Sequence, residues 1–269
     1  MTRRRGRRRM CSAASRTLRA LLAAAALAFA GSAAQAQGGL NLSLGADYAQ
    51  GKYGTAVTSK QWTVPLVAKH EADAWSAKVS LPYVRIENPA VGRDGTPLPC
   101  AGSATAPRTA SGLGDLVLTL SRTVFEDRAE RMLIDLTGKV KFATADETKC
   151  LGTGEDDFYV QGDLSKGYGS IGIFGTLGWR KMGDPPGVAF KDPFYYSIGG
   201  SYRVTAERSV GIAYDYRQPV LSGRDPLSEA MLFASHRFDR TLKLQAYAMV
   251  GFSDSSPDWA IGAVVMRGF

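Results

Sequence analysis

Outside its first 36 residues, the sequence contains no long apolar run. From residue 37 onward no stretch approaches the roughly 18 to 20 consecutive apolar residues that a membrane-spanning helix needs. Histidine is scarce, with two in 269 residues, and the glycine-rich stretch at 151–157 lacks the lysine that a phosphate-binding loop requires. These absences argue against membrane-spanning helices and a phosphate cradle, and they leave few candidates for a nucleophile–base pair.

The first 36 residues are typical of a secretion signal. Eight arginines flank or precede an eleven-residue apolar run at 20–30, and Ala34-Gln35-Ala36 is a small-x-small cleavage site. Because eleven residues are too few to cross a bilayer as a helix, we predict a cleaved signal peptide at 1–36 and a mature chain at 37–269. The sequence leaves open whether translation starts at Met1 or at Met10.

The predicted mature chain also lacks a charge excess. The formal charge of +8 equals the charge of the eight leader arginines, so basic and acidic residues balance after residue 36. A nucleic-acid-binding surface would need a basic excess in the mature protein. We therefore predict no nucleic-acid partner.

Alternation of apolar and polar residues dominates the remainder. Leu40, Leu42 and Leu44 alternate with Asn41 and Ser43, and the same period of two recurs between turns rich in Gly, Pro, Asp and Asn. Repeated alternating segments of about ten residues are typical of transmembrane barrels. We predict an all-β fold, a transmembrane antiparallel β-barrel of about 12 strands, with segments near 40–50, 59–70, 74–86, 113–124, 131–142, 156–166, 170–181, 193–204, 208–218, 228–238, 241–252 and 258–269.

The connections and strand ends agree with a barrel in the bacterial outer membrane. Short connections alternate with longer ones, as in barrels whose short turns face the periplasm and whose long loops face outward. Aromatic residues of lipid-facing parity concentrate near both strand ends. The last alternating segment ends at Phe269, which we interpret as a signal for the outer-membrane assembly machinery. We predict that the partners of the barrel wall are outer-membrane lipids.

Two features fit the barrel less well. The segment near 228–238 has apolar residues on both faces, with Met231 and Phe233 on one and Leu232 on the other. Pro65 and Pro82 fall inside adjoining predicted strands, where each removes a hydrogen-bond donor from the sheet.

Charged residues share the lumen-facing parity of the predicted strands. We predict that the lumen is lined by Asp115, Asp135, Lys139, Lys141, Asp163, Arg180, Arg203, Asp215, Arg217 and Lys243. One interpretation is that cross-strand ion pairs hold the interior together. The other is that a solute is selected by the four basic residues nearest the external mouth, Lys139, Lys141, Arg180 and Arg217.

The connection at 87–112 is too long for a simple turn and carries four prolines. It either folds inward as a constriction or covers the mouth of the barrel. Cys100 lies on this loop and Cys150 on the next external loop, both on the oxidising side of the membrane. We therefore predict a Cys100–Cys150 disulfide. Cys11 precedes the apolar run and leaves with the leader.

Seven short motifs are spread over most of the predicted mature chain. They are WTVPLVAK at 62–69, VSLPYVR at 79–85, SGLGDL at 111–116, GKVKF at 138–142, LGTGEDD at 151–157, DYR at 215–217 and SPDW at 256–259. Together they resemble the outer-membrane proteins of the MetA-pathway of phenol degradation family. The resemblance implies a transporter that passes small, often hydrophobic or aromatic, organic compounds through the outer membrane, and it implies no established catalytic residues.

We therefore predict a passive outer-membrane channel for small organic solutes. The alternative is a structural or surface-interaction barrel with a plugged lumen and no transport. No catalytic residue, cofactor or metal site is predicted. His70 and His236 both take lipid-facing parity and lie far apart in sequence. The acidic residues of the 146–157 loop are interpreted as solvated charges rather than as a cation site.

Overall fold

A computed structural model describes residues 39–100 and 108–269. In these ranges thirteen strands form: β1 Leu40–Gly51, β2 Ser59–Ala72, β3 Trp75–Glu87, β4 Thr109–Leu113, β5 Leu116–Asp127, β6 Met132–Phe142, β7 Asp157–Tyr168, β8 Ile171–Lys181, β9 Phe194–Arg203, β10 Arg208–Arg217, β11 Leu227–Arg237, β12 Leu242–Gly251 and β13 Trp259–Gly268. A single-turn 3-10 helix covers Glu147–Lys149. No helix in the described ranges is long and apolar enough to cross a membrane. The predicted signal peptide at 1–36 and both possible start methionines lie outside these ranges.

The strands close into an antiparallel barrel in chain order. β1 pairs with β13, so the two ends of the sheet meet and leave no open edge at this seam. β4 and β5 share one place in the ring, since both pair with β3, β4 at 83–87 and β5 at 75–80. The described chain therefore has twelve strand positions, which confirms the predicted fold class and strand number.

The prediction for this part of the chain is wrong in one respect. Residues 109–112, predicted as loop, belong to the separate short strand β4, and the predicted strand at 113–124 is continuous only from Leu116, in β5. The break lies beside Pro82, which has no N–H to donate and faces Pro65 across the β2–β3 pair. The Gly114 N–H donates to the Pro82 carbonyl at 2.8 Å, and pairing then resumes with a one-residue shift in register. The two prolines are thus accommodated by a bulge, at which Asp115 lies.

The outward face of the barrel is apolar and exposed. Leu44, Leu177 and Ile198 are 57%, 66% and 62% exposed, although each lies in the middle of a strand. A closed wall of exposed aliphatic side chains requires lipid around it, since the same surface in water would cause the protein to aggregate. In β11 Leu232 is exposed on this face, whereas the Phe233 ring lies inside the barrel over Gly211, which resolves the ambiguity of this segment.

Connection lengths alternate as predicted. The short turns are 73–74, 128–131, 169–170, 204–207 and 238–241, and the long loops are 52–58, 88–108, 143–156, 182–193, 218–226 and 252–258. Exposed aromatic residues mark both ends of the apolar wall, with Trp62, Tyr83, Phe158, Phe194 and Phe252 toward the long loops and Trp75, Tyr202, Phe238 and Phe269 toward the short turns. These are the positions that amphipathic rings prefer at a membrane–water interface.

Candidate functional site

The long loop after β3 folds into the lumen. Its tip is a small hairpin, residues 91–97, closed by a bridge between Val91 and Pro97. Gly95 has a φ of 69°, a left-handed conformation that glycine adopts without strain. The Gly95 N–H donates to the Gly92 carbonyl at 2.9 Å, which tightens the turn. We call residues 91–97 the inward hairpin.

Ion pairs fix the inward hairpin to several parts of the barrel wall. Arg93 Nε donates to Asp47 Oδ1 on β1 at 3.0 Å. Asp94 Oδ2 lies 2.8 Å from Arg180 Nη1 on β8 and 3.5 Å from Arg217 Nη1 on β10. β10 stands opposite β3, because six strand positions separate them in either direction around the ring. The hairpin therefore crosses the lumen, and the inward alternative for this loop is correct.

The root of the hairpin is held by apolar packing and by a disulfide. Leu98 is buried in a cluster with Val84, Ile86 and Ala110. The predicted Cys100–Cys150 disulfide is present, with a Cα–Cα distance of 5.7 Å, and Cys150 belongs to the same cluster. Apolar burial and a covalent link to the 143–156 loop thus restrict the position from which the hairpin enters the lumen.

A buried charge network adjoins the hairpin. Asp157 is 1% exposed, and its Oδ2 lies 2.7 Å from both Lys141 Nζ and Arg180 Nη2. Lys141 also lies 3.5 Å from Asp115, whose Oδ1 accepts from the Ala145 N–H at 3.0 Å. Asp157, Lys141, Asp115 and Arg180 each have a partner of opposite sign within this network, which offsets their desolvation cost.

Asp94 links this network to the loop. Burial raises the pKa of Asp94, but Arg180 and Arg217 outweigh burial and hold that pKa well below its ordinary value. The carboxylate is nevertheless half exposed, at 49%, because it projects into the open lumen. The contact is therefore ionised near neutral pH and partly screened by water.

The remaining predicted lumen residues other than Lys139 lie in three separate places. Asp163 accepts hydrogen bonds from three neighbours, Thr137, Gln161 and Thr176, and Asp135 accepts one from Thr123 at 2.7 Å. Asp215 and Arg217, both on β10, line the same cavity in the lumen. Arg203 and Lys243 lie by the short turn at 204–207, in a small cleft at the other end of the barrel from the hairpin. The structure does not bring those two residues to the hairpin.

Arg93, Asp94 and Glu229 face the lumen but are absent from the predicted set. The two loop residues sit between Gly92 and Gly95, a turn signal that marks a charged hairpin tip. For Glu229 the signal is the inward parity it shares with Phe233 on β11, which becomes readable once the face of that strand is known.

The inward hairpin leaves space on both sides. A cavity of about 390 Å³ lies between the hairpin and the wall that runs from β2 to β8. A second cavity of about 580 Å³ lies toward the wall from β6 to β11. Lys139, Tyr159 and Arg180 line both. These residues mark the place where the two cavities meet.

No protein-family model and no curated protein matches the sequence. Among solved structures, the chain is similar to an outer-membrane channel from Pseudomonas putida F1, with a TM-score of 0.67 and 14% identity over 86% of this chain and 96% of that one. The KdgM porin has a TM-score of 0.55 and 7% identity over 85% and 99% of the two chains. The NanC porin has a TM-score of 0.55 and 7% identity over 84% and 98%.

The chain has the fold of bacterial outer-membrane channels. At identities of 7–14%, similarity to these structures shows only the fold. This fold is the one implied by the resemblance to the phenol-degradation family. The lipid-facing wall and the closed ring are those of an outer-membrane barrel, which confirms the predicted location and the lipid surroundings.

Proposed function

We propose that this protein is a passive channel for small organic solutes in the outer membrane. The observation that carries the proposal is that the inward hairpin crosses the lumen without filling it, leaving cavities of about 390 Å³ and about 580 Å³ on its two sides. The similar structures are an outer-membrane channel and porins, which supports the same class of function. The hairpin and the charged lumen would set the size and polarity limits of the path.

The predicted lumen residues take different roles in this proposal. Lys141 and Arg180 form ion pairs with Asp157 and so stabilise the positions of the wall and the hairpin. Arg217 also contacts Asp94, at the longer distance of 3.5 Å, while Lys139 has no ion pair among the described residues. Both line the larger cavity, where they would meet a solute. Arg203 and Lys243, with Asp135 and Asp163, lie deeper along the path toward the short turns. The sequence resemblance favours hydrophobic or aromatic compounds as the solutes.

Swelling of proteoliposomes tests the channel. Liposomes with and without the purified barrel are diluted into iso-osmotic solutions of arabinose, glucose and raffinose. The proposal expects fast swelling with the two smaller solutes and slow swelling with raffinose, because the hairpin narrows the path. Equal, background-level swelling with every solute would contradict it. Heat-modifiable migration on a gel verifies that the reconstituted barrel is folded.

A structural or surface-interaction barrel without transport is the second candidate. It is favoured by the ion pairs of Arg93 and Asp94, which tie the hairpin to β1, β8 and β10. Planar-bilayer recording separates the two functions. Steady current from the wild-type barrel supports the channel, whereas silence from both the wild type and a variant with 91–97 replaced by a short glycine linker supports the structural role.

Neither candidate needs a catalytic group. His236 packs edge-on against Phe238 on the outward side, with ring centroids 4.5 Å apart, and His70 lies on β2 at the end near the short turns. We therefore propose no enzymatic activity, cofactor or resident metal.

We also propose that Phe269 carries the assembly signal. Its N–H donates to the Leu40 carbonyl at 2.8 Å beside the β1–β13 seam, while its side chain is 71% exposed and adds little to packing. Phe269→Ala is expected to reduce insertion in cells without lowering the unfolding temperature of barrel refolded in detergent. Normal insertion of this variant would refute the assignment.

A further inference from the structure

Lys139 differs from the other basic residues that line the cavity of about 390 Å³, Arg93, Lys141 and Arg180. Its Nζ lies 4.9 Å from the centroid of the Tyr159 ring and 5.5 Å from that of Tyr195. Within residues 39–100 and 108–269 no carboxylate is at ion-pair distance from it, whereas Lys141 and Arg180 each contact two carboxylates. The two rings hold this ammonium by cation–π attraction and leave its charge without a counter-ion.

The cavity of about 390 Å³ beside Lys139 has one apolar side and one basic side. Val84, Ile86, Leu98 and Val117 contribute the apolar side. Four basic residues line the cavity against two acidic ones, Asp94 and Asp115, and both of these acids already pair with an arginine or lysine. The volume falls in the range of roughly 300–1,000 Å³ that small-molecule sites occupy.

We infer that this cavity binds a small carboxylate with an aromatic or similarly apolar body, and that Lys139 binds the carboxylate. A carboxylate would supply the opposite charge that the ammonium lacks, through a charge-assisted hydrogen bond in a region partly shielded from water. The apolar side would take the ring, burying surface that is otherwise in contact with lumen water. An organic cation would instead meet four basic residues.

This inference rests on the proposed channel only for the route by which the solute arrives. The site lies where the two cavities meet, so an anion held there is positioned between the external mouth and the deeper lumen. Tyr159 and Tyr195 are positioning residues, because they fix the ammonium rather than bind the anion.

Titration calorimetry with benzoate tests the site on the detergent-purified barrel. Wild type is expected to bind benzoate better than benzyl alcohol and not to bind benzylammonium. Lys139→Met should weaken benzoate binding by roughly tenfold or more, the effect of losing a hydrogen bond to a charged group. Lys139→Arg should retain it. Lys243→Met removes a lumen lysine far from the cavity and should bind like wild type. Equal benzoate affinity in wild type and Lys139→Met, both folded by heat-modifiable migration, would overturn the site.

Swelling assays separate failure of the site from failure of the channel. If liposomes with the barrel swell in glucose but benzoate binding does not depend on Lys139, the anion site is wrong and the channel stands. If benzoate binds through Lys139 but no solute causes swelling, the site stands and the transport proposal is wrong.

Discussion

Replacing Asp94 by asparagine should loosen the inward hairpin while preserving the shape of its tip. The introduced amide would keep an oxygen for the Thr96 N–H, which now donates to Asp94 Oδ1 at 3.1 Å, but it would lack the charge that faces Arg180 and Arg217. Arg180 would retain Asp157, whereas Arg217 has no second carboxylate at ion-pair distance among the described residues. The change thus leaves one arginine, 8% exposed, without its counter-ion.

The magnitude follows from the burial of the partners. An exposed ion pair contributes up to about 1 kcal/mol, and removing one partner of a fully buried pair costs about 3–5 kcal/mol. Both guanidinium groups are buried, but the carboxylate is 49% exposed to lumen water, so we expect about 1.5–3 kcal/mol. That free energy raises the population of the released hairpin by roughly tenfold to a hundredfold.

Single-channel recording in planar bilayers measures this population. Asp94→Asn should show excursions to a higher conductance at least about ten times as often as wild type. Glu87→Gln is the matched control, because it makes the same chemical change beside the loop, where Glu87 pairs at 3.8 Å with Arg85 on the outward side of β3. If folded Asp94→Asn gave records indistinguishable from those of wild type, the hairpin would not be held by this contact.

Further predictions concern pH, the disulfide and packing. Since the pKa of Asp94 is depressed by its two arginines, its contribution is complete above its unfolded pKa of about 4 and is lost only as pH falls below that. The ratio of excursion frequencies between Asp94→Asn and wild type should therefore stay constant between about pH 7 and about pH 5, and a ratio that falls toward one near pH 6 would contradict this. Replacing Cys100 and Cys150 by serine should lower the free energy of unfolding in urea by about 4 kcal/mol, in the chain-entropy model for a closed loop of 50 residues. In the mature wild-type protein, unfolded without a reducing agent, a thiol reagent should label no cysteine. Gly211→Ala should cost about 1–3 kcal/mol, because the added methyl group would collide with the Phe233 ring; an unchanged urea midpoint would show that the ring moves freely.

Apolar residues on both faces made β11 difficult to interpret from sequence. Met231 and Phe233 are as apolar as Leu232, so hydrophobicity does not tell which row faces lipid. The structure decides through neighbours: Gly211 on β10 lacks a side chain and leaves room inside the barrel for the Phe233 ring. Which side of a strand faces the lumen thus depends partly on the residues of the neighbouring strands, and these are not visible in the sequence of one segment.

The charged lumen was predictable only as a list of inward residues. Parity placed Lys139 and Lys141 on the same face of β6, yet Lys141 pairs with Asp115 and Asp157 while Lys139 lies against two tyrosine rings. The difference arises because adjacent strands are staggered, so each inward residue meets whichever neighbour the register brings to its level.

By itself the sequence determined the twelve strand positions, the two faces of most strands, the aromatic rows at both ends and the pairing of Cys100 with Cys150. These features follow from a period of two and from the contrast between lipid and water, which act residue by residue. Only the tertiary structure decided that the loop after β3 enters the lumen and that Asp94 meets Arg180, 86 residues away. That contact exists because closure of the ring sets β8 and β10 across from the loop, and no local pattern encodes the distance across a barrel.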